Sequence, residues 1–280
     1  MIDLDELAQA ASELDPLPVS ATRLLSVATR DDVGISDIVE VVEYDQALTG
    51  RLLRMANSSW SASSRPITNV RDAVVRLGAA AVLSLALGSN VRGRMSTSVP
   101  AYGLDEGELW RHSVAAALAT ELMPRYCSVV LPPETTSAAL LHDVGKLLMS
   151  RYLDPALLEQ LHAARLASAG DPMQAEREIL GVHYAELGAL IVQTWGLPES
   201  MVHAICYHHE PEMWPEPICY AVNLADGVAQ IVGAGEGSGQ HQDVESFVHS
   251  IEALGMRSDA FETIVQLTSE NLSAVIDRYE

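Results

Sequence analysis

The sequence predicts an all-α chain folded as two packed helical lobes, and three observations carry that expectation. Apolar residues, rich in Ala and Leu, recur at three- and four-residue intervals almost throughout, with no sustained alternation of the strand type. Turn-forming residues interrupt this period at helix-length intervals. All nine histidines lie beyond residue 98, whereas the segment before it holds one Trp and no His. The change in composition between Arg92 and Gly103 sets the seam, giving an N-terminal lobe of 1–98 and a C-terminal lobe of 99–280 that share an interface.

Taken in order, the breaks fall at Asp15-Pro16 with Pro18, at Asp31-Asp32-Val33-Gly34, at Arg65-Pro66 and at Val99-Pro100. They continue at Leu131-Pro132-Pro133, Asp154-Pro155, Asp171-Pro172, Leu197-Pro198 and Glu210-Pro211. Proline lacks the N–H that a helix interior needs, so the proline-bearing breaks mark helix ends. Ser36 to Glu40, and Asp171-Pro172 with Glu176, carry helix-start capping patterns. The glycine-rich stretch Gly233 to Gln242 has neither a following Lys-Ser/Thr nor a preceding strand. It therefore reads as a surface loop, not a phosphate-binding one.

Length and charge exclude several roles. A chain of 280 residues is long enough to bury a real core. Lys and Arg total 17 against 38 Asp and Glu, a formal charge of −21. Such a surface repels phosphate backbones and anionic headgroups, so neither direct nucleic-acid binding nor membrane attachment is expected. The longest apolar run, Leu77 to Gly88, is shorter than the roughly 20 residues of a membrane span. The acidic N-terminus, MIDLDELAQA, is not a secretory signal. Cys127, Cys206 and Cys219 have no CxxC spacing, which fits a reduced, cytoplasmic protein without a disulfide frame or thiolate metal site.

The chemistry concentrates in five places. His142-Asp143 sits inside the apolar run AALLHDVGKLL, with Lys146, the chain's one lysine, a turn later. A carboxylate among leucines is costly without a compensating cation. Glu108 and His112 lie four residues apart on one helical face. His183 opens another helical pattern, His208-His209 closes one, and Asp226 is a lone carboxylate between Ile218 and Val232. Together these form a shell for two metal ions, with Asp143 placed to bridge them and hold an activated water for attack on phosphorus. Imidazole with carboxylate suits Fe, Mn, Zn, Co or Ni better than Ca or Mg. Each residue alone also fits an ordinary structural role: a satisfied core histidine, a pair capping a helix C-terminus, a capping Asp. His162, His203, His241 and His249 are assigned to that ordinary class.

The order H…HD…H…HH…D resembles the HD superfamily of metal-dependent phosphohydrolases. Within it the chain is similar to the HDOD family, the HD-related output domains of bacterial signalling proteins. The more specific resemblance lies in the N-terminal lobe: Leu17-Pro18, Asp45-Gln46-Ala47-Leu48-Thr49, Leu52 to Ser58 (LLRMANS), and Ala73 with Leu77-Gly78. It departs from the usual D-P-A-L-T pattern at Gln46. The resemblance implies metal ligation by His112, His142, Asp143, His183, His208, His209 and Asp226, with Glu108 as an additional ligand. It also implies a Lys146 turned toward a substrate phosphate, with Asp143 and Lys146 the catalytic pair if the chain is an enzyme. The segment His208 to Pro215 lacks the Asp-Gly and Gly-Tyr-Pro elements of HD-GYP phosphodiesterases, which disfavours cyclic di-GMP as substrate.

The resemblance and the ligand pattern together imply a signal-transduction regulatory module with two transition-metal ions, iron or manganese first and zinc or nickel next. Its expected partner is a signalling protein, and a homodimer is compatible with the sequence. The alternative is a metal-dependent phosphohydrolase acting on a nucleotide or phosphodiester. A redox-sensing di-iron protein ranks third.

Overall fold

A computed structural model describes residues 17–28, 30, 32–58, 66–167, 172–233 and 247–279. The sequence readings at the N-terminus, at Asp171 and across 234–242 lie outside these residues. The fold is all-α, and among the described residues the only strand-like pairing is an isolated bridge between Val99 and Leu104.

Four helices open the chain: α1 (Val19–Ala28), α2 (Ile35–Glu43), α3 (Gln46–Ala56) and α4 (Val70–Met95). The capping pattern at Ser36 is corrected by two residues. Gly34 is the cap residue of α2, and Asp37 reaches back to accept its N–H at 2.8 Å. Ser36 lies inside the helix and accepts instead from Arg71. Two polar residues of the N-terminal lobe each hold a helix end. Asp45 caps α3 by accepting from Leu48 N–H, and its second oxygen accepts from the Ser20 hydroxyl at 2.6 Å, tying α3 to α1. Asn57 donates to the carbonyls of Leu53 and Ile67 and accepts from Ile67 N–H, so its amide fixes the end of α3 to the chain entering α4. Gln46 occupies the first helical position, where proline is favoured because that N–H has no helical partner. Asn57→Ala should cost roughly 1–2 kcal/mol in urea unfolding, against about 0.5 kcal/mol or less for the exposed Arg54→Ala.

Gly78 sits at φ 82° within α4 and breaks the helix into two segments. A side chain is disfavoured there, which explains the Leu77-Gly78 signature. An 18-residue window of α4 has a mean hydropathy of 1.6, long and apolar enough by composition to cross a membrane, in contrast to the shorter run expected. Half of that window is buried against the rest of the protein.

The remaining helices are α5 (Glu108–Leu122), α6 (Thr135–Leu141), α7 (Gly145–Tyr152), α8 (Pro155–Ala167), α9 (Pro172–Leu180), α10 (Tyr184–Thr194), α11 (Glu199–Cys206), α12 (Pro217–Ile231), α13 (Val248–Ala253) and α14 (Ser258–Ile276). The expected stop at Asp154-Pro155 acts as a start, since Pro155, like Pro172 and Pro217, occupies the first helical position. Every residue from Val114 to Ala119 is buried, so α5 is a central helix whose alanines admit α6, α12 and α14 closely. The second half of α4 packs on α6. Gly88 leaves room there for the ring of Tyr279, whose hydroxyl meets Ser84 at 2.7 Å and whose edge meets Trp110. One apolar core thus runs from Leu17 to Tyr279.

Candidate metal centre

Five elements converge at one point in the C-terminal half. His112 comes from the second turn of α5. His142 and Asp143 occupy the short turn between α6 and α7, not a helix interior, and Lys146 follows in the first turn of α7. His208 and His209 lie in the turn after α11, and Asp226 projects from α12. The two turns are held rigidly. His142 Nδ1 donates to Ala139 C=O and His208 Nδ1 to Ile205 C=O, each at 2.7 Å. Both Nε2 atoms therefore face inward, the orientation that metal-bound histidines take when their other nitrogen is anchored. Asn223 donates to the His208 carbonyl at 2.8 Å and accepts from Ser250, locking the second turn to α12 and α13.

The donor atoms form three overlapping groups: His112, His142 and Asp226; His142, Asp143 and His208; His208, His209 and Asp226. Within each, the ligand atoms lie within 4.8 Å of one another. His112 Nε2 is 3.2 Å from His142 Nε2 and 3.1 Å from Asp226 Oδ1. Asp143 Oδ2 is 3.5 Å from both imidazoles and 2.9 Å from Lys146 Nζ. These groups fit a transition-metal cation on two grounds. With the imidazoles neutral, as ligation requires, Asp143, Asp226 and Lys146 leave one buried negative charge that a cation would compensate. Asp143 Oδ1 is buried and has no hydrogen-bond partner.

Two expected ligands are not brought into these groups. Glu108, half-buried in the first turn of α5, turns back to accept from Asp105 N–H at 2.7 Å, so its carboxylate serves the bend before the helix. His183, the N-cap residue of α10, is buried, and its Nε2 accepts from Arg177 at 3.1 Å. The ordinary histidines behave differently: His162 is exposed, His203 packs on Trp214 with ring centroids 3.9 Å apart, and His249 meets Tyr220. His241 is outside the described residues. Burial pushes the thiols of Cys127 and Cys206 up to about 11 and that of Cys219 up to about 12, so none offers a thiolate near neutral pH.

A family model for the HDOD domain matches residues 14–211 of the chain. The chain belongs to the HDOD family. Solved structures share its fold. An HDOD domain protein of unknown function from Geobacter sulfurreducens is 24% identical, with a TM-score of 0.72 over 99% of this chain and 98% of that one. A chain from Shewanella amazonensis, described as a candidate phosphohydrolase, is 25% identical, with a TM-score of 0.70 over 98% of each. A protein of Treponema pallidum is 27% identical over 213 residues, covering 75% of this chain and 40% of that protein. The HDOD chain thus spans about two-fifths of that relative's length.

The HDOD match ends at residue 211, so Asp226 lies beyond it, and its place at the centre rests on the geometry. Sequence reasoning also missed the supports of the HDOD centre. Gln230 donates to both oxygens of Asp226 at 3.1 Å, a contact its i+4 spacing could have suggested. The Tyr184 hydroxyl lies 3.4 Å from His208 Nε2 and hydrogen-bonds His209 Nε2, and its ring is 4.7 Å from Lys146 Nζ. Nothing in the spacing announces those contacts.

The electrostatics define a pH response. Burial opposes protonation of His142, but the adjacent Asp143 and Asp226 carboxylates outweigh it and raise its pKa to about 9. Burial would raise Asp143, yet His142, Lys146 and His112 hold it well below the usual carboxylate range. Burial, reinforced by His209 and His142, pushes His208 well below the usual histidine value. Without metal, the proton on His142 stabilises the fold fully below about pH 6.5, and that contribution is lost as pH rises through about 9. A metal held by His142 would have to displace the same proton. Its affinity should climb about tenfold per pH unit between about 7 and 9, as read by chelator competition. A flat profile would remove His142 from the ligand set.

Proposed function

We propose that this HDOD chain is a regulatory module of bacterial signal transduction built around a transition-metal centre, and that it works by contact with a signalling protein, not by turnover. His112, His142, Asp143, His208, His209 and Asp226 would hold the metal, iron or manganese first and zinc or nickel next, with two ions at full loading. When bound, the metal supplies charge that compensates the two buried carboxylates and ties α5, the α6–α7 turn, the α11 end and α12 together.

The observation that carries this reading is the burial of Lys146. Its side chain is 4% exposed, its ammonium is paired with Asp143, and the rings of Tyr102 and Tyr184 stand over it at 5.5 and 4.7 Å. A lysine that greets a phosphoryl group needs an open approach, and this one is enclosed. The acidic surface, with the apolar Val19 and Tyr44 exposed beside a cavity of about 510 Å³ between α1 and α3, supports a protein partner. A cytoplasmic location belongs to the same reading.

The phosphohydrolase alternative keeps one observation in its favour. The Asp143–Lys146 pair at 2.9 Å juxtaposes a candidate metal ligand with a phosphate-neutralising cation. Hydrolysis of bis(p-nitrophenyl) phosphate by the chain loaded with each metal separates the two. The module reading expects no turnover above that of Asp143→Ala. Sustained turnover lost in Asp143→Ala would make the chain an enzyme.

A further inference from the structure

We infer that Arg177 is a latch that keeps His183 off the metal centre and thereby sets how many ions the centre holds. The inference rests on the metal-centre reading and concerns a residue outside the ligand set. A neutral imidazole has one N–H and one lone pair. A guanidinium has only donors, so its 3.1 Å contact means that His183 Nε2 spends its lone pair on Arg177. Nδ1 then carries the hydrogen, and a protonated nitrogen cannot bind a cation. While Arg177 donates, His183 is closed to metal through either nitrogen.

Two further observations favour a displaceable latch over a fixed support. His183 Nδ1 is buried with no hydrogen-bond partner, so the closed arrangement leaves a buried donor unsatisfied. Arg177 is also held at 2.7 Å by Glu210, and these two side chains are 43% and 46% exposed, whereas His183 behind them is 3% exposed. The latch lies at the surface and its keeper is an exposed ion pair of small worth. The ligand-bearing turn is close by. Glu210 directly follows His209, and Tyr184, next to His183, touches His208 and His209. Release of Arg177 would free the His183 lone pair one residue from Tyr184, whose hydroxyl reaches His208 and His209.

The test is a Co²⁺ titration of the metal-free full chain, followed by visible absorption and by metal content after desalting. Arg177→Met keeps the aliphatic stem and removes the donors. The wild-type chain should hold about one tightly bound Co²⁺ and Arg177→Met about two, the second ion binding at least about tenfold more tightly than in wild type. Arg177→Met/His183→Ala should return to about one, because the released ligand is gone. Identical titrations for wild type and Arg177→Met would overturn the latch, as would two equally tight ions in wild type or two retained by the double variant. If neither wild type nor Arg177→Met takes up Co²⁺ while circular dichroism reports native helix, the metal-centre reading itself falls and the latch with it.

Discussion

Asp143→Ala is expected to empty the metal centre and to destabilise the protein by about 3–5 kcal/mol, the range for removing one partner of a buried ion pair. The size reflects what surrounds the carboxylate. Asp143 is 1% exposed and faces Lys146 at 2.9 Å and both His112 and His142 at 3.5 Å. Its removal takes away the carboxylate that pairs with a buried ammonium. It also takes away the main charge that holds a proton, or a metal, at His142. Elemental analysis and urea unfolding read the two effects separately. His162→Ala is the control, since that imidazole is exposed, and it should leave both unchanged. Unaltered metal content in Asp143→Ala would remove Asp143 from the centre.

Gly145→Ala should be comparably severe, through backbone and not charge. A Cβ at this position would collide with the Tyr184 carbonyl oxygen and lie 2.5 Å from Gly188 N. Neither is the end of a flexible side chain, so α7 and α10 must separate to admit it. Overpacking typically costs about 1–3 kcal/mol and occasionally more, and a clash with rigid backbone puts this case at the upper end. The displacement would also carry the Tyr184 hydroxyl away from His208 and His209, so metal retention should fall alongside stability. Gly50→Ala provides the contrast. Its Cβ would meet nothing within 4 Å inside α3, and alanine there should stabilise by up to about 1 kcal/mol. Equal unfolding midpoints for the two variants would contradict the close α7–α10 approach.

The HDVGK run combines features that the sequence announces with one that only packing explains. A polar doublet inside an apolar run is conspicuous because burying His142-Asp143 needs a compensating reason, so a candidate site could be read from the chain. The same holds for His112, His208-His209 and Asp226, each set in a helical apolar pattern. The role of Gly145 emerges only from the approach of α10. The helical class was legible because the 3.6-residue period is continuous. Other features depend on partners that spacing does not reveal. Glu108 sits on the same face as His112, yet the nearer Asp105 N–H claims it. His183 is diverted by Arg177, which Glu210 steadies from 33 residues away. The kink at Gly78 and the cap at Gly34 are backbone decisions that the apolar pattern does not encode.

The most direct measurement is the metal content of the purified full chain, expressed with iron, manganese, zinc and nickel supplied and desalted at about pH 8. A metal centre of the proposed kind should retain about one equivalent of transition metal per chain, falling to near zero in Asp143→Ala. A folded chain that carries no metal, and takes up none when each ion is supplied, would contradict it.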